Sequence, residues 1–323
     1  MTSKQTNKTL VVIVGATATG KTDLSIALAQ NYHSEILSAD SRQFYREMPI
    51  GTAAPTPDQL QAVPHHFIAT RSVTEEYSCG RYEVDALALL EQLFHTHDTL
   101  FLVGGSGLYI DAICNGMDAM PETDPALREQ LTTVARNEGL EPLCSQLQEL
   151  DPAYYAVVDR SNPQRVIRAL EICIQTGRPY SEVRSGAIKQ RPFRIIKLGI
   201  RYPREILYDR INRRVELMVK AGLEQEARTL YPLRHLNALQ TVGYREWFDY
   251  FEGKYDRQTA IAHGFKAAAK NICLLQSLSE CIFLCFTLVI HHHESGLAIA
   301  VYCRFSKFVI NVHGSFLSAP QTF

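Results

Sequence analysis

The chain has 323 residues, 46% of them apolar and 21% charged, with a formal net charge of −1. That length holds one large domain or two, and the balance is that of a folded globular protein rather than a disordered or membrane-embedded chain. Near-zero charge excludes a broadly basic nucleic-acid binder, so any such surface is a local patch. Eight cysteines without a C-x-x-C pair argue against a disulfide framework and suit a reducing compartment.

The polar stretch Met1–Thr9 lacks the apolar core of a signal peptide, and the expected setting is the cytoplasm, with no membrane association. The apolar run Leu10–Val14 reads as a strand and leads into Gly15–Thr22, which fits the phosphate-binding pattern G-x-x-x-x-G-K-[ST] at every fixed position. Asp23–Ala29 follows with helical spacing of apolar residues, completing the strand–loop–helix context that the motif needs. Glycines let successive N–H groups turn inward, Lys21 adds a positive charge, Thr22 offers a hydroxyl to Mg²⁺, and the helix N-terminus adds its dipole. A phosphate or diphosphate is therefore expected on Gly15, Ala16, Thr17, Ala18, Thr19, Gly20, Lys21 and Thr22. Kinases, ATPases, GTPases and other transferases share such a loop, so the pattern leaves its owner open.

Glu35–Ser38 reads as a second strand before Ala39–Gln43, and Thr99–Val103 as a third before Gly104–Gly107 and a helix from Leu108. Apolar runs alternating with helices argue for a parallel sheet flanked by helices, with ligands at the carboxyl ends of its strands. The phosphate loop, Asp40 and Gly104–Gly107 all fall at that edge and are expected to meet. Between Pro121 and Ser185 helix follows helix: Leu127–Asn137, Leu140–Leu150, Pro152–Asp159 and Pro163–Thr176, each bounded by caps and breakers. Arg194–Ile200 then returns as a strand, before a charged helix over Arg204–Ala221. His65-His66 reads as a structural loop, and Trp247 and Tyr250 as helical packing.

The segment Ser38–Thr56 strongly resembles the signature of the tRNA dimethylallyltransferases, close to D-S-R-Q-x-Y-x-x-M-x-I-G-T-A-K-P. The resemblance continues in Val103–Tyr109, Asn162–Glu171 and Val242–Glu246, so that five separated blocks cover about residues 10–262. It implies an α/β fold with a P-loop NTPase-like core, a parallel sheet flanked by helices, plus a helical insertion domain. The expected division is 1–118 with 192–262 for the core, 119–191 for the insertion and its tRNA contacts, and 263–323 for an atypical tail. The implied reaction transfers a dimethylallyl group from dimethylallyl diphosphate to N6 of adenosine 37 in the anticodon loop of tRNA, with Mg²⁺ as cofactor and a monomer as the working state.

An exocyclic amine must lose a proton as its new C–N bond forms, and Asp40 is the candidate base, with a turn cap or a Mg²⁺ ligand as its other readings. The resemblance implies Asp40, Ser106 and Arg210 as the catalytic set, with Arg213 and Arg214 as neighbours of Arg210 on a helix face that is otherwise read as solvated. It implies tRNA contacts from Asp40, Ser41, Arg42, Gln43, Ser106, Arg128, Gln164, Arg165, Gly243, Tyr244 and Arg245, Tyr244 being suited to stacking. A base enters such a site by leaving the loop's stack.

The alternatives are a P-loop kinase of a nucleoside or small metabolite, and a catalytically impaired RNA-binding relative. The second arises because residues 264–323 carry only six Asp, Glu, Lys or Arg residues, where the family continues with a basic, aromatic helix. Out-of-frame translation of that segment is one expectation for the tail, a lineage-specific tail the other. Cys281, Cys285 and His291–His293 imitate a metal site there, but their spacing matches no standard zinc pattern.

Overall fold

The computed structural model describes residues 7–200 and 202–267, with the backbone of four strands between 286 and 318. Two compact units emerge, Met1–Cys114 with Arg191–Phe323, and Asn115–Gln190.

In the first unit, Thr9–Gly15 (β1) leads through the glycine-rich loop to Lys21–Asn31 (α1) and Ile36–Ser38 (β2). Pro57–Ala62 (α2), His65–His66 (β3), Cys79–Leu93 (α3), Thr99–Gly104 (β4) and Gly107–Asn115 (α4) follow. Thr56 starts α2 with a reciprocal capping box, its hydroxyl accepting from the Gln59 amide while the Gln59 side chain accepts from the Thr56 N–H.

The second unit is wholly helical: Pro125–Asn137 (α5), Glu141–Leu150 (α6), Pro152–Tyr155 (α7), Pro163–Thr176 (α8) and Tyr180–Val183 (α9). Leu131, Leu143, Leu147, Val166 and Leu170 form its core. The helix expected over Pro152–Asp159 ends at Tyr155, because the following Val157 amide turns to the tighter Tyr154 carbonyl bond and the backbone leaves the helix before Asp159. Asn162 caps α8 through the Arg165 amide, and Gly177 ends it at a left-handed φ of 64°.

The chain returns to the first unit with Arg194–Ile200 (β5), Arg204–Lys220 (α10), Leu223–Leu230 (α11), Arg245–Phe251 (α12) and a helix over 257–267 (α13). Leu10, Val12 and Ile13 of β1 are fully buried, as suits a strand covered on both faces. β1 pairs in parallel with β4 on one side, Leu10 opposite Leu100, and with β5 on the other, Leu10 opposite Ile195. β2 lies beyond β4 and β3 beyond β2, giving the order β3-β2-β4-β1-β5. The step from β1 over β4 to β2 opens a crevice at the carboxyl edge.

His65-His66, expected as a loop, is a two-residue edge strand: Ile36 pairs with His65, and His66 Nε2 lies 2.6 Å from Glu35 Oε2. The sheet continues past β5 with Phe286–His293 (β6) in parallel, then Gly296–Cys303 (β7), Ser306–Asn311 (β8) and Ser315–Ser318 (β9), all antiparallel. The side chains of Cys281, Cys285 and His291–His293, and the frame of the tail, lie outside the described residues. Among the described residues no helix is long and apolar enough to cross a membrane.

Candidate active site

The loop after β1 is shaped by close approach. A Cβ on Gly15 would lie 2.9 Å from Thr19 Oγ1 and 3.0 Å from the Ile200 carbonyl oxygen. Ala18 and Gly20 adopt left-handed φ values of 62° and 80°, which turn the chain into α1. Thr19 donates its hydroxyl to the Ala16 carbonyl at 2.8 Å, inside the loop. Lys21 folds back, its Nζ donating to the carbonyls of Gly15 (2.9 Å) and Ala16 (2.8 Å). Burial pushes its pKa down to about 8, against the pull of Asp40 and with the repulsion of Arg214.

Across the edge, the Ala39 amide continues the β2 ladder by donating to the Val103 carbonyl at 2.7 Å. Asp40 then starts a turn on its own carboxylate, Oδ1 accepting from the Arg42 amide at 3.0 Å. Ser106 ties the loop after β4 to this turn: its Oγ accepts from the Ser41 amide at 2.9 Å and donates to Ser41 Oγ at 3.1 Å. Arg42 reaches out to the Asn237 carbonyl at 2.9 Å. Burial lowers its pKa, against neighbouring Tyr45, Tyr109 and Asp40.

These segments enclose a cavity of about 490 Å³. Thr17–Thr22, Asp40–Gln43 and Val103–Ser106 form its polar wall, and the turn Gly51–Ala53 faces into it. α10 contributes Arg214 and Met218, while Leu223, Trp247 and Ile261 give it an apolar side. The phosphate loop, Asp40 and Ser106, up to ninety residues apart in sequence, thus meet at one site.

Among the arginines of α10, Arg214 lines the cavity. Burial lowers its pKa and Asp40 draws it back up. Arg210, one turn earlier, braces the loop instead: its Nε donates to the Ala18 carbonyl at 2.6 Å and its guanidinium lies 5.0 Å from the Tyr202 ring centroid. Arg213 is exposed. The i, i+4 spacing of Arg210 and Arg214 signals one helix face, but ranking the two needs the loop's position.

Gly243 lines the cavity and Arg245 is exposed, but Tyr244 is fully buried and its hydroxyl donates to Glu226 Oε1 at 2.6 Å. Its ring is therefore core, and the stacking role expected for it is corrected: hydroxyl and ring are both consumed by packing. Trp247 is buried as well, with one edge at the cavity. In the helical unit, Gln164 and Arg165 are exposed on the first turn of α8, while Arg128 grips the buried Glu171 through two bonds of 2.5 and 2.7 Å.

Of the charged groups on this cavity, Lys21, Arg42 and Arg214 can hold a polyanion, and the Asp40 carboxylate can accept a proton. Among the described residues no cluster of three or more His, Cys, Asp or Glu could hold a metal. Thr22 and Asp40 do line the same cavity, and a hydroxyl with a carboxylate suits a hard cation that keeps most of its ligands from water and phosphate.

The family described as IPP transferase matches residues 43–271, a little past the 262 at which the sequence resemblance was expected to end. A protein of Phocaeicola vulgatus named tRNA dimethylallyltransferase 1 is 53% identical over 253 residues, 78% of this chain and 84% of that relative. The full-length tRNA isopentenylpyrophosphate transferase of Bacillus halodurans is similar in structure, with a TM-score of 0.61 at 34% identity over 84% of this chain and 87% of that one. A eukaryotic dimethylallyltransferase acting on tRNA has the same fold, with a TM-score of 0.70 at 24% identity over 84% of this chain and 69% of that one.

Proposed function

This chain belongs to the IPP transferase family, and we propose that it transfers a dimethylallyl group from dimethylallyl diphosphate to N6 of adenosine 37 in tRNA. The enzyme is a prenyl transferase acting on tRNA; the acceptor atom and the residue roles below are our reading. The observation that carries it is the convergence of Lys21, Arg214 and Asp40 on one cavity that also has an apolar side. The family match and the relatives do not favour a kinase of a nucleoside or small metabolite.

In this reading the diphosphate lies on the amides of Gly15–Thr22, with Lys21 and Arg214 on its oxygens and Arg210 holding the loop in shape. The allylic C–O bond breaks with its electron pair going to the diphosphate, where the cations stabilise the growing charge. The N6 lone pair forms the new C–N bond, and the N6 proton passes to the Asp40 carboxylate. Ser106 fixes the Asp40–Gln43 turn through Ser41. Thr22 is the residue that would hold Mg²⁺, which would supply further charge neutralisation on the diphosphate and leave the Asp40 carboxylate free for the proton. Met218, Leu223 and Trp247 suit the hydrocarbon end of the donor.

The helical unit, with Arg128, Gln164 and Arg165, is assigned to tRNA contact, as are Ser41, Arg42, Gln43, Gly243 and Arg245. Exposed Gln164 and Arg165 at the start of α8 support this, since such groups reach phosphates and base edges. A monomer in the cytoplasm is the working form we propose. The test is nucleoside mass analysis of unmodified tRNA after incubation with this chain, Mg²⁺ and dimethylallyl diphosphate. N6-dimethylallyladenosine at position 37 supports the reading; its absence, with phosphate transferred from ATP to a nucleoside instead, overturns it in favour of a kinase.

A further inference from the structure

One carboxylate outside the proposed chemistry gathers three donors. Glu226 of α11 accepts the Ile50 amide on Oε2 at 2.9 Å, and on Oε1 both the Gly51 amide at 2.8 Å and the Tyr244 hydroxyl at 2.6 Å. The turn it grips faces the cavity through Gly51, Thr52 and Ala53. That turn is strained and tight: Ala53 sits at a left-handed φ of 44°, and a Cβ on Gly51 would lie 2.5 Å from the Tyr244 ring.

The other side of the same turn is held by Gln43. Its Nε2 donates to the carbonyls of Thr52 (3.3 Å) and Ala53 (3.2 Å), and its Oε1 accepts from Ser38 Oγ at 3.3 Å. The Gln43 amide then donates to the Asp40 carbonyl at 3.2 Å. A continuous path thus runs from the Tyr244 hydroxyl through Glu226, the 50–53 turn and Gln43 to the Asp40 turn. The diphosphate end of the cavity is built separately, from the β1–α1 loop and α10.

We propose that Glu226 is a positioning residue for the acceptor side of the cavity, setting the 50–53 turn and, through Gln43, the Asp40 turn against the incoming nucleobase. On this view Gln43, bonded to the protein at both polar ends, gives the base pocket its shape. The inference rests on the transfer reaction proposed above for its assignment of acceptor and donor ends.

The experiment compares wild type, Glu226→Gln and Tyr244→Phe in steady-state kinetics with each substrate varied, alongside tRNA filter binding and pyrophosphate binding followed by Trp247 fluorescence. An amide in place of Glu226 keeps one acceptor oxygen for the Gly51 amide and the Tyr244 hydroxyl and turns the other into a donor facing the Ile50 amide. Glu226→Gln is expected to raise KM and Kd for tRNA by about tenfold or more, the loss of one hydrogen bond to a charged group, with donor KM and pyrophosphate Kd unchanged. Tyr244→Phe should move the same constants in the same direction by less, and the double variant should lose less than the product of the two. Should Glu226→Gln not fold, Tyr244→Phe carries the test alone, its ring being retained. Equal shifts for both substrates, or a lowered Tm with unchanged constants, overturns the proposal. An inactive wild type would sink the reaction assignment, while the binding split would still judge the positioning role.

Discussion

Gly104 and Ala39 meet backbone to backbone. A Cβ on Gly104 would lie 2.5 Å from the Ala39 carbonyl carbon and closer still to its oxygen. The contact joins the end of β4 to the residue before Asp40, so a methyl group there has only main chain to push. Gly104→Ala is expected to destabilise the protein by about 1–3 kcal/mol, the range for overpacking, and to lower turnover further by displacing Asp40. Thermal unfolding and kcat measured together check this; a fully active variant of unchanged Tm contradicts it.

Asp40→Asn keeps the size of the side chain and an oxygen to accept the Arg42 amide, but cannot take a proton. Single-turnover transfer should slow by about 10²–10⁴, the usual worth of a general base, while tRNA affinity holds. Loss of tRNA binding in step with the rate would reassign Asp40 to binding.

Lys21 supplies two opposite pH dependences. Its pKa in the folded protein is pushed down to about 8 from the ordinary 10.5, so between those values the unfolded chain carries more protons on it. The burial penalty is present in full below about 8, and stability rises with pH across that window. Pyrophosphate binding runs the other way: the cation is lost as pH climbs past about 8, and affinity should fall by up to tenfold per unit. Calorimetric titration from pH 7 to 10 reads this slope, and Lys21→Met should flatten it.

Glu171 is buried beneath Arg128 and Arg168, which donate to both its oxygens. Glu171→Ala removes the shared partner of two guanidinium groups that water still reaches and is expected to cost about 1–3 kcal/mol. Urea unfolding should show the loss, and an unchanged midpoint would mean water replaces the carboxylate.

The phosphate loop, the strands around it and α8 were legible because their signals are local: fixed glycine spacing, apolar runs, a Pro after an Asn cap. Asp40 was legible from its place at a strand end. The choice of Arg214 over Arg210, by contrast, depends on how α10 lies against the loop, and both share one helical face. Tyr244 reads as available for stacking because its ring is covered by Gly51, far away in sequence, and its hydroxyl is taken by Glu226 of another helix. The edge strand at His65-His66 is too short for any alternation to be read, and α2 is too short for a helical period, although Thr56 and Gln59 spell its capping box. The Arg128–Glu171 pair spans 43 residues between two helices, which no periodicity within either helix announces.

Lys21 resting on the carbonyls of Gly15 and Ala16 has a consequence for the thermodynamics of capture. Its ammonium group is already immobilised at the loop's centre, so an arriving phosphate exchanges one set of oxygens for another and does not have to freeze a wandering four-carbon chain. Recognition should therefore carry a small conformational-entropy cost and a modest enthalpy, because bonds are traded rather than newly made. The same exchange frees two loop carbonyls at the moment of binding, leaving them to water.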